Sequence, residues 1–352
     1  MSRAGHRRIR SYADAGVDRN RASGALAALL AHVRYHAPAT SGRSIPLGGH
    51  YAGLIRVGRE TIAITTDTVG TKSLLAEALG RWVEIGVDAV AVNVNDLASV
   101  GARPAGLVDV ISCRQADPDV FADIGRGIDQ GLRAARCSLL GGETAIVPEL
   151  LQGVDVGGTA IGFFPAGRNP VTGARIRPGD VLLGIPSSGL HANGLTLARR
   201  IVAESKHGLR APRPGATKPI GVELLTASRI YVAASEALAD RPGTTGFAHI
   251  SGGGVRNLTR LHRRVQFVLD GWPPAPGLFR WLAEVGGVSA EEMYQTFNMG
   301  IGFVAVVRSS TASEALRALR RAGYPTSRII GHVARGTGVS LPQLGLTYRS
   351  YA

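Results

Sequence analysis

Two apolar periods alternate along this chain, and the changes between them predict its elements. Residues 22–33 carry apolar positions at helical spacing, and a glycine-rich connection follows over 42–53. Alternation at 53–57 and 60–66 predicts a hairpin turning at Gly58-Arg59, and residues 71–79 predict a helix. Residues 87–100 fit either a strand centred on Ala89–Val94 or a helix with the stripe Val90, Val94, Leu97 and Gly101. The length favours the helix, which gives Asn93 and Asp96 a shared polar face. A strand at 106–111 precedes a helix running from Asp117-Pro118-Asp119 to about residue 135, with proline in the first turn and acids against the positive dipole end. A strand follows at 154–164.

Residues 165–179 lose all periodicity and are rich in proline, glycine and arginine, the clearest domain boundary in the chain. Beyond it come a strand at 181–185, a polar loop at 187–194, a helix to about 204 and a proline-rich surface loop at 210–221. His249-Ile-Ser-Gly-Gly-Gly254 opens a further helix, and a strand at 302–307 and a helix at 312–322 complete the pattern. The whole predicts an α/β (α+β) chain of two domains, 1–165 and 166–352, without an internal repeat.

Composition narrows the classes. With 352 residues, 45% apolar and 19% charged, the chain is of a size and make-up to bury a substantial core as a soluble globular protein. No apolar run approaches the ~20 residues that span a bilayer, and the basic head at 1–10 is not a secretory leader, so a cytoplasmic protein with no membrane partner and a disordered head is expected. Cys113 and Cys137 are too few and too far apart for a metal cluster and read as two thiols. The net charge of +14 calls for anionic partners. Its arginines concentrate only at residues 3–10 and at Arg256, Arg260, Arg263 and Arg264, without interleaved aromatics, so phosphorylated small molecules are expected and nucleic acid is not.

The densest candidate chemistry lies in Ile64-Thr-Thr-Asp-Thr-Val-Gly-Thr-Lys72. A strand ending in a carboxylate, hydroxyls, a flexible glycine and an ammonium suits a metal-bound polyphosphate. Lys72 stands out because the only other lysines are Lys206 and Lys218. Asn95-Asp96 and Gly141-Gly142-Glu143-Thr144 are read as further acid-bearing turns. Each alone is more often a cap or a solvated turn; three in one domain with Lys72 point to a hard cation such as Mg²⁺. The P-loop and dinucleotide fingerprints are absent. In the second domain His191 and Asn193 precede a helix, where Asn193 is either a cap or a ligand-binding residue, and Ser251-Gly-Gly-Gly254 is a candidate anion cradle.

Taken in order, Tyr12-Ala-Asp-Ala-Gly-Val-Asp18, Thr66-Asp-Thr-Val-Gly-Thr-Lys72, Val94-Asn-Asp96, Gly141-Gly-Glu-Thr-Ala145, Ser188-Gly-Leu-His-Ala-Asn-Gly194, His249-Ile-Ser-Gly-Gly-Gly254 and Phe297-Asn-Met-Gly-Ile-Gly302 closely resemble the aminoimidazole ribonucleotide synthetase family over nearly the whole chain. The resemblance implies a two-domain ATP-dependent synthetase fold and a homodimer whose N-terminal strands pair across the two-fold. Residues 1–165 would bind ATP and Mg²⁺ and dimerise, and 166–352 would contribute to the substrate site. It also implies Asp67, Asp96 and Glu143 as metal ligands. Asp67, Thr68, Gly70, Thr71, Lys72, Gly141, Gly142, Glu143 and Thr144 would lie on the ATP phosphates. Asp14, Asp18, Gly49, His191 and Asn193 would surround formylglycinamidine ribonucleotide, and Lys72, His191 and Asp96 would be catalytic. The implied reaction closes that nucleotide to aminoimidazole ribonucleotide with release of ADP and phosphate.

Two positions depart from the family pattern. Thr68 stands where a glycine is usual, and a positive φ there would strain a β-branched side chain. Ala145-Ile-Val-Pro148 stands where many members carry a second acid. The alternatives are another ATP-using enzyme of the same fold, a small-molecule kinase or a selenophosphate-synthetase-like protein, and a non-catalytic anion-binding relative.

Overall fold

The computed structural model describes residues 10–33, 35, 40, 42–47 and 49–351. The basic head expected to be disordered lies, but for Arg10, outside the described residues. The first helix, α1 (Arg19–His32), starts three residues before its apolar pattern because the Asp18 carboxylate caps it, accepting the Arg21 N–H at 3.0 Å.

The first sheet holds β1 (Arg43–Ile45), β2 (Gly53–Val57), β3 (Glu60–Thr68), β4 (Arg103–Cys113), β5 (Ser138–Ile146) and β6 (Val154–Phe163), in the order β1-β2-β3-β6-β4-β5. β2 and β3 form the expected hairpin, and β1 is a strand inside the glycine-rich connection, held by the free edge of β2. Between β3 and β4 lie α2 (Ser73–Leu79) and α3 (Val83–Ala98); α4 (Pro118–Ala135) crosses over from β4 to its parallel neighbour β5. The helical reading of 87–100 is the observed one. α3 and α4 touch backbone to backbone: a β-carbon on Gly127 would lie 1.9 Å from the Val83 carbonyl oxygen.

The helices cover only one face of this sheet. Ile64, Val108, Val110 and Phe163 remain exposed, and so do Leu139, Leu140 and Ile146 on β5, the unpaired edge strand. Residues 141–144, expected as a turn, are extended within β5. Gly142 permits this, because a β-carbon there would lie 2.0 Å from the Asp109 carboxylate of β4.

The connection from 164 to 180 leads to the second sheet. Its elements are β7 (Val181–Pro186), α5 (Leu195–Glu204), α6 (Ile220–Leu225), α7 (Val232–Ala239), β8 (Thr244–His249), β9 (Val265–Val268), α8 (Gly277–Gly286), α9 (Ala290–Thr296), β10 (Ile301–Val307), α10 (Ala312–Arg321), β11 (Arg328–Arg335), β12 (Gly338–Leu341) and β13 (Leu346–Tyr348). The strand order is β13-β12-β9-β11-β7-β10-β8, and every residue of β10 is buried. The loop after β8 opens into a 3₁₀ helix, Gly254–Arg260, rather than an α-helix. Among the described residues no helix is long and apolar enough to cross a membrane.

Candidate active site

The end of β3 delivers Asp67 and Thr68 to the seam between the domains. Thr68 is ordinary extended backbone, paired with Gly157, and is absent from the positive-φ residues. The strain anticipated at Thr68 therefore does not arise: the left-handed residue is Gly70, with φ 64°. Gly157 makes room for the threonine methyl, since a β-carbon there would lie 2.8 Å from Thr68 Cγ2. The turn is pinned by Asp155, whose Oδ1 accepts the N–H groups of Gly70 and Val156, both at 3.0 Å. Thr71 reaches the other domain, its hydroxyl 2.9 Å from that of Thr196 in α5.

Two acids gather here. Asp67 is open to solvent, yet the protein around it pushes its carboxyl up to about 6, first through desolvation and then through the charge of Asp96. The Thr68 N–H, 2.8 Å from Oδ1, and His249 oppose that shift. Asp96, on the last turn of α3, is held by the Nδ1 of buried His249 at 2.9 Å. A donor set of two such carboxylates fits Mg²⁺, which takes one or two carboxylates and fills its remaining positions with water and phosphate oxygens. A cation would also relieve the mutual repulsion that raises Asp67.

Glu143 does not join them within one chain. Thr68, Gly157, Val110 and Glu143 form one row across the sheet, so Glu143 lies three strand spacings away, about 14 Å at the usual strand separation. Gly141, Gly142 and Thr144 share that distant edge strand. The extended path of β5 is what separates the expected cluster, and no group of three acidic, histidine or cysteine side chains suited to a metal is found among the described residues.

Lys72 is also not where it was expected. Its side chain is fully buried, with Nζ 2.5 Å from Asp88 Oδ2 and donating to the Thr226 carbonyl at 2.8 Å. Asp88, buried on α3, in turn accepts the Ser228 N–H at 2.6 Å. The ammonium is thus committed to the domain seam and is turned away from any phosphate in solvent. Asn95 adds a second clasp, donating to the Arg229 carbonyl and accepting the Tyr231 N–H. Asp88 and Asp155 escaped the sequence reading, although a carboxylate inside the apolar run of α3 and another inside the glycine-rich β6 were its signals.

In the second domain His191 is buried, with φ 65°, packed beside Tyr231. Its Nε2 accepts the Ser188 N–H at 3.3 Å and its Nδ1 has no partner. Burial first, then the charges of His249, Lys72 and Arg229, hold the imidazole well below its usual pKa. That shift favours the neutral ring, which shapes the 188–194 loop; so buried a group has no shown route to exchange protons in the catalytic role implied for it. Asn193 is no cap, since Gly194 takes the N-cap position of α5; its side chain lies against Gly252 of the glycine loop. Asn298 staples the same loop by donating to the Gly189 and Leu190 carbonyls.

The N-terminal motif docks on these loops. Tyr12 donates its N–H to Glu292, and its ring lies under Arg19 beside Gly194 and Thr196. Asp14 accepts from Ser11 and Asp18 caps α1, so both acids shape this segment. Gly49 has φ 90° and its carbonyl accepts from Arg260 at 2.9 Å.

A two-domain α/β fold with a carboxylate pair at its seam, faced by two glycine-bearing loops, defines the class. The comparisons identify the family: residues 49–164 match the family "AIR synthase related protein, N-terminal domain", and residues 177–342 match "AIR synthase related protein, C-terminal domain". The chain belongs to the AIR synthase related family. It is 43% identical to the phosphoribosylformylglycinamidine cyclo-ligase of Thermococcus kodakarensis over 342 residues, covering 96% of this chain and 99% of that relative. Its fold is shared with the thiamine-monophosphate kinase of Stenotrophomonas maltophilia K279a (TM-score 0.60, 20% identity, 86% and 92% of the two chains). It is shared too with the hydrogenase maturation protein HypE in complex with ATP (TM-score 0.60, 20% identity, 82% and 83%).

Two outcomes test this geometry. Lys72→Met alone, or Asp88→Leu alone, strands one buried charge and is expected to cost about 3–5 kcal/mol of unfolding free energy. The double variant should recover most of that loss in urea titrations, and equal damage in all three would dissolve the pair. The second concerns buried His50, whose ring nitrogens have no partner and whose pKa is lowered to about 4 by burial and then by Arg260. The unfolded imidazole takes up its proton near pH 6.5 and the folded one only near 4, so acid favours the unfolded chain across that interval and stability falls as pH drops through it, by on the order of 3 kcal/mol. His50→Phe should flatten the slope of unfolding free energy between pH 6.5 and 4.

Proposed function

We propose that this protein closes formylglycinamidine ribonucleotide to aminoimidazole ribonucleotide with conversion of ATP to ADP and phosphate, a step of purine biosynthesis. The observation that carries this reading is the 43% identity to a curated cyclo-ligase along nearly the full length of both chains. The seam site supplies the matching chemistry, and the ATP complex of a protein with the same fold supports the nucleotide.

An amide oxygen is a poor leaving group, so the reaction needs it phosphorylated. Transfer of the γ-phosphoryl of ATP to the formyl oxygen breaks the terminal phosphoanhydride and, as the amide nitrogen gives up its proton, leaves an iminophosphate. The amidine nitrogen then attacks the formyl carbon, phosphate departs, and a proton leaves nitrogen as the ring closes. Asp67 and Asp96 would hold Mg²⁺, which supplies charge neutralisation to the polyphosphate when bound. His249 fixes the orientation of Asp96, as outer partners of metal-binding groups do. The 188–194 and 251–254 loops, braced by Asn298 and Asn193, would wall the bound substrate and limit water there.

The bare face of the first sheet supports a homodimer. Ile64, Val108, Val110 and Phe163 form an exposed apolar surface beside the unpaired edge of β5, which a second copy would cover. Val110→Asp is expected to shift the species seen by analytical ultracentrifugation from dimer to monomer; a monomeric parent protein would remove this reading.

The catalytic test supplies formylglycinamidine ribonucleotide, ATP and Mg²⁺ and follows the product amine by diazotisation together with released phosphate. Amine and phosphate should form in equal amounts, and Asp96→Asn should slow both by about 100-fold. A stable phosphorylated product without free phosphate would reassign the protein as a kinase, and no nucleotide-dependent phosphate at all would leave it an anion-binding relative.

A further inference from the structure

A cationic cavity lies apart from the carboxylate pair, whose role does not account for it. A cavity of about 360 Å³ is lined by Gly49, Arg260, His262, Arg263, Arg349 and Tyr351 among others, and among the described residues no carboxylate side chain contributes to its wall. Arg260 and Arg263 come from the arginine concentration in the sequence and are joined by Arg349 from the far end of the chain.

Arg260 is its fixed point. The guanidinium donates to the Gly49 carbonyl at 2.9 Å and the His50 carbonyl at 3.3 Å. It is clamped between two rings, 4.3 Å from the centroid of Tyr51 and 4.9 Å from that of Tyr351. Tyr351 joins the cavity to the cleft: its hydroxyl donates to the Gly252 carbonyl at 2.8 Å, and Gly252 is the residue packed against Asn193. Three residues before Gly252, His249 holds Asp96 at 2.9 Å. The segment from His249 to Gly252, and Tyr351 packed on it, therefore links the carboxylate pair to the arginines.

The two ends of that link suit different anions. A polyphosphate brings its own divalent cation and is taken by carboxylates. A phosphomonoester carries no such cation and is taken by guanidinium groups, which match its oxygens with paired N–H donors. We propose that the arginine cavity receives the 5′-phosphate of the ribonucleotide substrate, leaving the reacting formyl group toward Asp67 and Asp96. The inference rests on the cyclisation reading above and assigns the substrate's far end within that site.

The test uses steady-state kinetics on the full chain with Arg349→Gln, Tyr351→Ala and Tyr351→Phe. Arg349→Gln and Tyr351→Ala should each raise KM for the ribonucleotide about tenfold, the loss expected for one charge-assisted hydrogen bond, with KM for ATP unchanged and kcat within about twofold. Tyr351→Phe keeps the ring over Arg260 and should restore most of the affinity. Inorganic phosphate should inhibit competitively against the ribonucleotide, and calorimetry should show its binding weakened in Arg349→Gln. Unchanged KM in both disruptive variants, equal rises in KM for ATP, or phosphate inhibition that is not competitive would each overturn the assignment. Calorimetry needs no turnover, so a parent protein that binds phosphate through Arg349 but makes no amine would sink the cyclisation reading and not the anion site.

Discussion

The buried pair of Lys72 and Asp88 is the constraint on which the site depends. It joins the turn after β3 to α3 and, through the Thr226 carbonyl and the Ser228 N–H, to a segment some 150 residues further on. Asn95 and the bond from Ser235 to the Ala98 carbonyl repeat the clasp along the same helix. Fully desolvated charges stabilise little in net terms, because removing them from water offsets most of their attraction. Their value lies in geometry. Held by these bonds, the two domains meet in one arrangement, and Asp96 reaches His249 just before the 251–254 loop.

This pair also marks what a sequence can and cannot reveal. The hairpin at 58–59, the helical stripe of α3 and the proline-led start of α4 depend on residues close in the chain, and all were legible. Asp67 and Asp96 were legible as acids at element ends. The direction of Lys72 was not: an ammonium after a glycine turn reads the same whether it meets phosphate or a carboxylate, and its partners come from residues 88 and 226. The rarity of lysine did carry information. A compact ammonium with three rotatable donors fits a closed pocket between Asp88 and Thr226, where a wide planar guanidinium would need more room.

The displacement of residues 141–144 has the same origin. Gly141-Gly142-Glu143-Thr144 has turn composition, but Gly142 is small because Asp109 of the neighbouring strand occupies the space of its side chain. Glycine that permits a close approach and glycine that permits a turn are indistinguishable in one dimension. Only the pairing of β5 with β4, set by the α4 crossover, decides between them, and it carries Glu143 to an exposed edge. His191 misled for a related reason. Its polar neighbours imply a surface loop, yet the loop folds under Tyr231 and Asn298 and keeps the ring neutral.

The distribution of charge follows from these placements. In a chain with net charge +14, Asp67 and Asp96 are conspicuous, and the repulsion that helps raise Asp67 suits a ligand that brings its own cation. Arginines dominate the opposite end, where Arg260 is immobilised between Tyr51 and Tyr351. Exchanging the two would fail on electrostatic grounds: arginines beside Asp67 would neutralise the carboxylates proposed to hold Mg²⁺, and carboxylates beside Arg260 would repel a phosphomonoester. Two anionic ligands can thus be sorted at one cleft by the sign of the protein's charge at each end. The two ends are held independently, Asp96 by His249 and Arg260 by the Gly49 and His50 carbonyls, so each keeps its charge in place without the other.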